Sequence, residues 1–176
     1  MPRRCRGFNL IEFIIAIMLV TSLSMAATPI FTKFLRQDRV AALSNRLLTE
    51  LNRARSEAIV RGALVTFCGI DRNRQCNGSK NWSSGLMSFV DADNDRRLDP
   101  GEAVVGLLGQ NDLNDFRLIS NSGRPTITFR PDGATAGTNA TLQMCDPDQR
   151  SLQRIIVNLS GRSRVAPPKP ADLCAD

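Results

Sequence analysis

The sequence predicts an α+β fold, in which one long N-terminal helix packs against antiparallel β-sheets. An apolar run opens the chain at residues 8–27, and apolar residues then recur every three or four positions between 33 and 61. Both patterns are typical of a helix. Beyond Gly62, short runs of strand-forming residues alternate with Gly, Asp, Asn and Pro, and no helical period remains. A helix followed only by strands predicts sheets packed against that helix.

The first half of the helix has the length and composition of a membrane span. With about 1.5 Å of rise per residue, residues 8–27 extend roughly 30 Å, the thickness of a bilayer's hydrocarbon core. Three arginines precede the run, so we expect the rest of the chain on the outer side of the membrane. A cleaved secretory signal peptide is the alternative. It is disfavoured because Glu12 interrupts the apolar run and the helical pattern resumes after Pro29.

The second half of the helix is apolar on one face only. Pro29 is expected to bend the helix and Gly62 to end it. The apolar stripe predicts docking on a sheet. Its members are Val40, Leu43, Leu47, Leu51, Ala54 and Ala58.

Seven strands are predicted after the helix, and a proline-rich, irregular tail follows them at 166–170. The predicted strands are 63–68, 85–90, 103–108, 116–119, 126–129, 141–144 and 154–159.

The chain contains no histidine. It therefore lacks the commonest general base and the commonest metal ligand, and a Ser-His-Asp or Cys-His centre cannot be built. We expect a protein without enzymatic activity and without a cofactor.

Four of the five cysteines lie beyond the N-terminal region and form an even set, which suggests two disulfides in an exported domain. Three pairings are open. Cys68 with Cys76 is favoured because it closes a short loop, and Cys145 with Cys174 because it would hold the tail. Reduced thiols and a four-thiolate zinc site are the alternatives, but no C-x-x-C spacing supports zinc.

The formal charge of +6 is unevenly distributed, with an acidic region at 71–115 between two basic ones, and 20 of the 23 basic residues are arginine. Arginine presents a planar fork of donors that fits phosphate, so this composition favours an anionic partner. A merely solvated basic surface is the alternative.

The acidic region contains a loop whose spacing resembles an EF-hand. Its sixth position, where an EF-hand needs Gly, is Arg96, and the flanking segments read as strands. Arg96 and Arg97 also offset part of the negative charge. We therefore predict an acidic hairpin turn without a metal, and calcium binding is the alternative. The acids at positions 1, 3, 5, 9 and 12 are Asp91, Asp93, Asp95, Asp99 and Glu102.

A second motif, Gly161-Arg162-Ser163-Arg164, follows the last predicted strand. A turn led by Gly can expose backbone N–H groups to an anion. In an extended segment the two arginines would project to one side about 6–7 Å apart, near the spacing of successive phosphates. Further cations that would widen this anion site are Arg150, Arg154 and Lys169. The alternative is a structural turn with solvated arginines.

The start of the chain resembles the type IV pilins and the type II secretion pseudopilins. The residues that carry this likeness are Arg6-Gly7-Phe8-Asn9-Leu10-Ile11-Glu12. The resemblance implies cleavage after Gly7 by prepilin peptidase and N-methylation of Phe8. It divides the chain into a leader at 1–7, a membrane and fibre-core helix at 8–32, and a globular head at 33–176. In a fibre core, a Glu12 carboxylate needs a partner, which the Phe8 ammonium of a neighbouring pilin would supply.

The head is similar to the GspH/FimT-type minor pilins. The matching stretches are Trp82-x-x-Gly85 with Phe89-x-Asp91, residues 128–133 (TFRPDG) and residues 160–164 (SGRSR). FimT-type members bind DNA through a C-terminal GRxR motif during natural transformation. The resemblance therefore implies a minor pilin, anchored in the inner membrane until it joins a pilus, that binds DNA and other pilins. A structural minor pilin without DNA binding and a type II secretion pseudopilin are the alternatives.

Overall fold

The computed structural model describes residues 9–113, 116–121, 124–168 and 174, and gives only the backbone of residues 23, 25–30 and 33. One helix, α1, spans Leu10–Arg61. Eight strands and a short 3-10 helix at Gln110–Leu113 follow it. The strands are β1 (Val65–Gly69), β2 (Gly85–Val90), β3 (Val104–Gly109), β4 (Arg117–Ser120), β5 (Thr126–Phe129), β6 (Ala140–Cys145), β7 (Ser151–Val157) and β8 (Ser163–Ala166).

The strands form two antiparallel sheets of four strands each. The first sheet has the order β3-β2-β1-β5 and the second has the order β4-β6-β7-β8. In the second sheet, Arg154 of β7 pairs with Ala166 of β8, and Ile156 pairs with Arg164. β8 is thus an edge strand, and its register with β7 sets which face each of its side chains occupies. The predicted α+β fold is confirmed.

The C-terminal part of α1 buries the predicted apolar stripe. Leu47, Leu51, Ala54 and Ala58 are fully buried, and Leu43 is nearly so. They belong to one apolar cluster with side chains of both sheets, and Val40 packs against it. The helical spacing of apolar residues in the sequence therefore correctly predicts which face of α1 packs against the sheets.

Gly62 ends α1, as predicted. It has a φ of +61°. The Gly62 N–H donates to the Ile59 carbonyl, and the Ala63 N–H to the Ala58 carbonyl. This pair of bonds satisfies carbonyls at the end of the helix and is typical of a glycine cap.

The chain divides into two compact units, Met1–Arg39 and Val40–Asp176. In the described residues, no helical stretch combines the length and the apolar character of a membrane span. The side chain of Pro29 lies outside the description, and its predicted bend stays a prediction.

Each of the seven predicted strands corresponds to an observed strand, with shifts of one to three residues at several ends. The sequence analysis missed β8. It contains only four residues, Ser163–Ala166, and precedes a proline pair, so its pattern is too short to stand out. The segment is a strand because it pairs with β7, and its own sequence does not indicate this.

Candidate functional site

The turn between β7 and β8 is built around Asn158. The Gly161 N–H donates to the Asn158 carbonyl, and the Arg162 N–H donates to the Asn158 Oδ1 at 2.9 Å. Ser160 Oγ donates to the same Oδ1 atom, also at 2.9 Å. The expectation that this turn offers free backbone N–H groups to an anion is therefore wrong for Gly161 and Arg162, because both N–H groups bond within the turn. An anion at this turn would depend on side chains.

Gly161 has a packing role in the structure. It is buried with a φ of +75°, and a Cβ at this position would overlap the Gly133 carbonyl oxygen. Arg55 Nε of α1 donates to that same oxygen at 2.8 Å. Two stretches that resemble pilin motifs, at 128–133 and 160–164, thus meet through the backbone of two glycines. This close approach holds the turn before β8 against the turn that contains Gly133.

Arg162 and Arg164 are both exposed. Within the described part of the chain, no hydrogen bond or ion pair engages either guanidinium group. Ser163, between them, donates through Oγ to Asn52 Oδ1 of α1 at 3.1 Å. Since neighbouring residues of a strand point to opposite faces, the bond of Ser163 toward the helix places Arg164 on the outer side of β8, and Arg162 stands just before the strand. The projection of Arg162 and Arg164 to one side stays a prediction.

The remaining predicted cations differ in their placement. Arg154 pairs with Ala166, and Ala166 is two residues from Arg164 in β8. Paired residues share a face, as do residues two apart in a strand, so Arg154 and Arg164 lie on the same face of the second sheet. The Arg154 Nε atom donates to the Pro167 carbonyl at 2.9 Å, and the side chain is half-buried. Arg150 is exposed just before β7, in a turn that also carries Asp148. Lys169 lies outside the described residues.

Two further arginines near this turn, Arg130 and Arg55, were not predicted as part of the site, and the bond from Arg55 to Gly133 is described above. Arg130 is exposed in the turn whose Gly133 meets Gly161. The Thr135 N–H donates to the Leu159 carbonyl at 2.9 Å, which ties this turn to the end of β7. No spacing in the sequence relates residue 130 to residue 161, so only the structure shows that the turn carrying Arg130 contacts the turn before β8.

Both favoured disulfides are present, Cys68–Cys76 and Cys145–Cys174. Cys145 and Cys174 form a small buried cluster with Ile119. Ile119 pairs with Gln143, which pairs with Arg154, so this cluster lies on the face that carries Arg154 and Arg164. The tail is thereby fastened to the basic face of the second sheet.

The predicted processing residues Gly7 and Phe8 lie outside the described residues. Glu12 is exposed in the first turn of α1, and its N–H donates to the Asn9 carbonyl. The pairing of Glu12 with the Phe8 ammonium of a neighbouring pilin stays a prediction.

The acidic loop follows β2 and forms a compact turn. Glu102 closes it, since its Oε1 accepts the Ala92 N–H at 2.8 Å and its Oε2 the Asp99 N–H at 3.0 Å. Desolvation by the loop, followed by the carboxylates of Asp95 and Asp93, raises the pKa of Asp99. The carboxylates of this turn are therefore close enough to repel one another.

Comparisons with known proteins agree with this geometry. The model of a family described as "Type II transport protein GspH" matches residues 43–161. Pilin-like protein PilA1 of Thermus thermophilus is 30% identical over 166 residues, covering 91% of this chain and 97% of that protein. The type IV minor pilin FimU of Pseudomonas aeruginosa superposes with a TM-score of 0.61 at 19% identity, over 81% of this chain and 99% of that chain. A second crystal form of FimU gives 0.54 at 18% identity, over 77% and 99%.

A long helix followed by two antiparallel sheets is thus the fold of type IV pilin-like proteins. The chain belongs to the GspH family and is a minor pilin- or pseudopilin-like protein. The family match ends at Gly161. It includes the glycine that packs on Gly133 and stops before the two exposed arginines.

Proposed function

We propose that this protein is a FimT-like minor type IV pilin that binds DNA without sequence preference, through Arg162 and Arg164, for uptake in natural transformation. One observation supports this proposal above the others. Two exposed arginines without protein partners in the described chain stand two residues apart, Arg162 just before the edge strand β8 and Arg164 within it. Natural proteins often place charged residues on such edges, so the pair alone would be unremarkable. The GRxR motif itself adds support, as does Arg154, which lies on the same face of the second sheet as Arg164.

Phosphate is the ligand that this geometry fits. Residues two apart in a strand are separated by about 6.6 Å, close to the distance between successive phosphates of one DNA strand. Arginine binds phosphate through two parallel N–H bonds, which positions a duplex but does not read its sequence. The aromatic side chains that the structure describes beyond Val40 are buried, so base stacking is not indicated. The proposal is therefore for contacts to the phosphate backbone.

We also propose how the protein is processed and anchored before it is assembled into a pilus. Prepilin peptidase cuts after Gly7, Phe8 is methylated, and the helix holds the chain in the inner membrane until it joins a pilus. We infer no enzymatic activity for the head and no cofactor that would serve a reaction. On a fibre, several heads with weak individual contacts would hold one DNA molecule by avidity.

The direct test is a mobility-shift titration of duplex DNA with the full chain in non-ionic detergent. Arg162→Ala with Arg164→Ala is expected to weaken binding on the order of 100-fold, because each charge-assisted bond contributes more than about 1 kcal/mol. The matched control is Arg72→Ala with Arg74→Ala. That pair is also exposed and two residues apart, but lies in the loop closed by Cys68 and Cys76.

The control variant is expected to bind as tightly as the parent. Equal loss in both variants would show that only total charge matters. Undiminished binding by the Arg162/Arg164 variant would place the DNA contact elsewhere. Circular dichroism of each variant confirms that the fold is retained.

The family match favours a second candidate function, a pseudopilin of type II secretion. Deletion of the gene separates the candidates, since loss of transformation with piliation intact supports DNA uptake. Loss of protein secretion supports the pseudopilin, and loss of pili supports a structural minor pilin.

A further inference from the structure

The acidic loop after β2 brings three carboxylates together. One carboxylate oxygen from each of Asp91, Asp93 and Asp95 lies within 4.8 Å of the other two. Oxygens bound to one Ca²⁺ stand about 2.3–2.6 Å from the ion, so two of them are at most about 5 Å apart. The spacing of the three oxygens therefore fits a single ion.

Asp91 differs from an ordinary loop carboxylate in being fully buried. Its Oδ2 accepts the Thr66 Oγ1 hydroxyl at 2.6 Å. Its Oδ1 is also inaccessible to solvent and has no hydrogen-bond partner in the described structure. A buried carboxylate oxygen without a donor is costly unless a cation or a proton compensates it. Asp91 is thus held in place by Thr66 of β1, and its Oδ1 lacks a donor that would compensate its burial.

The residue at the sixth position does not prevent the turn. Arg96 adopts a φ of +66° and Asn94 a φ of +64°, so the backbone enters the left-handed region without glycine. The side chains of Arg96 and Arg97 are exposed. The main objection from the sequence, the absence of glycine at the sharp turn, therefore does not hold for this loop.

We propose that Asp91, Asp93 and Asp95 bind one calcium ion. The preference for Ca²⁺ over Mg²⁺ follows from the ligands, because a flexible set of carboxylates completed by water suits the larger ion. Mg²⁺ requires a near-ideal octahedron and gives up its water reluctantly.

Glu102 has a supporting role in this site. In an EF-hand, the acid at position 12 chelates the ion with both oxygens. Here both oxygens of Glu102 accept backbone N–H groups of the loop. With three carboxylates as protein ligands and two arginines close in sequence, the affinity belongs to the range of extracellular calcium modules, roughly 0.1–1 mM.

Isothermal titration calorimetry of the full chain in detergent, after removal of metal with EDTA, tests the site with CaCl₂ as the probe. The parent is expected to bind one equivalent with a Kd on the order of 1 mM or tighter. Asp93→Asn with Asp95→Asn is expected to weaken binding at least about 10-fold, since both residues are exposed ligands whose exchange leaves the core unchanged. The control is Asp148→Asn, an exposed acid in another turn.

The proposal is overturned if the parent shows no binding up to about 10 mM CaCl₂, tenfold above the expected range. It is also overturned if the Asp93/Asp95 variant binds equally well, or if MgCl₂ binds as tightly as CaCl₂. A fall in affinity for Asp148→Asn equal to that of the double variant would also contradict it, because general surface charge would then explain the heat. A rise in the melting temperature with CaCl₂ that is absent from the Asp93/Asp95 variant would support the site independently.

Discussion

Gly161 shows how one residue of the proposed DNA-binding motif supports the others. Its missing Cβ allows the turn before β8 to contact the Gly133 carbonyl, which also accepts a bond from Arg55. The motif therefore divides into a glycine that sets the position of the turn and two arginines that face solvent. Loss of the glycine should act on stability as well as on binding.

Gly161→Ala is expected to lower the free energy of unfolding by about 2–4 kcal/mol, because the new Cβ combines a left-handed φ with a clash. Gly78→Ala is the matched control. Gly78 has a φ of +65°, but a Cβ there meets nothing within 4 Å. Its expected cost is about 1 kcal/mol, from the backbone conformation alone. Urea denaturation of both variants measures the difference, and equal costs would show that the contact with Gly133 does not matter.

The sequence identified Gly161 and the two arginines, but the role predicted for the glycine, a backbone N–H group open to an anion, was wrong. Its N–H donates to Asn158, inside the turn. Whether a backbone N–H faces solvent depends on the bonds that the turn makes, and a four-residue motif does not record them.

The helix is the element that the sequence predicts most completely. A stripe at intervals of three and four residues is a long signal, and each of its members meets the sheets. The glycine cap at Gly62 is local as well, since it depends on the backbone of the helix end only. Elements that depend on residues close together in the chain can therefore be predicted from the sequence pattern.

Leu47→Ala is expected to destabilise the protein by about 2–5 kcal/mol, because it leaves a cavity in a fully buried position of α1. Val60→Ala serves as the control, since Val60 is 82% exposed on the same helix. Its expected effect is within about 0.5 kcal/mol. Thermal unfolding monitored by circular dichroism measures both, and similar losses would contradict the docking of the stripe.

β8 is the element that the sequence did not reveal. Four residues are too few for a reliable period, and two arginines close together look like a loop. Only the ladder with β7 makes this segment a strand, and that ladder is a tertiary contact between two chain segments.

The number of phosphates that the protein neutralises would determine how the proposed DNA binding depends on salt concentration. If roughly three to four phosphates are neutralised, log K should fall against log salt with a slope of about −3. Removal of Arg162 and Arg164 should reduce the steepness by about 2, whereas removal of Arg72 and Arg74 should leave it unchanged. Fluorescence anisotropy with a labelled duplex at several NaCl concentrations measures the slopes. A parent slope near zero would contradict phosphate binding.

The sequence was sufficient to predict the fold class, the apolar face of α1, the end of the helix at Gly62 and the approximate position of most strands, because these depend on periodicity and on neighbours in the chain. It also favoured the observed disulfides among three open pairings. The three-dimensional structure was needed to show that Gly161 contacts Gly133, that the turn carrying Arg130 contacts the turn before β8, and that Asp91 is buried beside Thr66. Each of these joins residues far apart in the chain, and a single sequence carries no record of which distant segments come into contact.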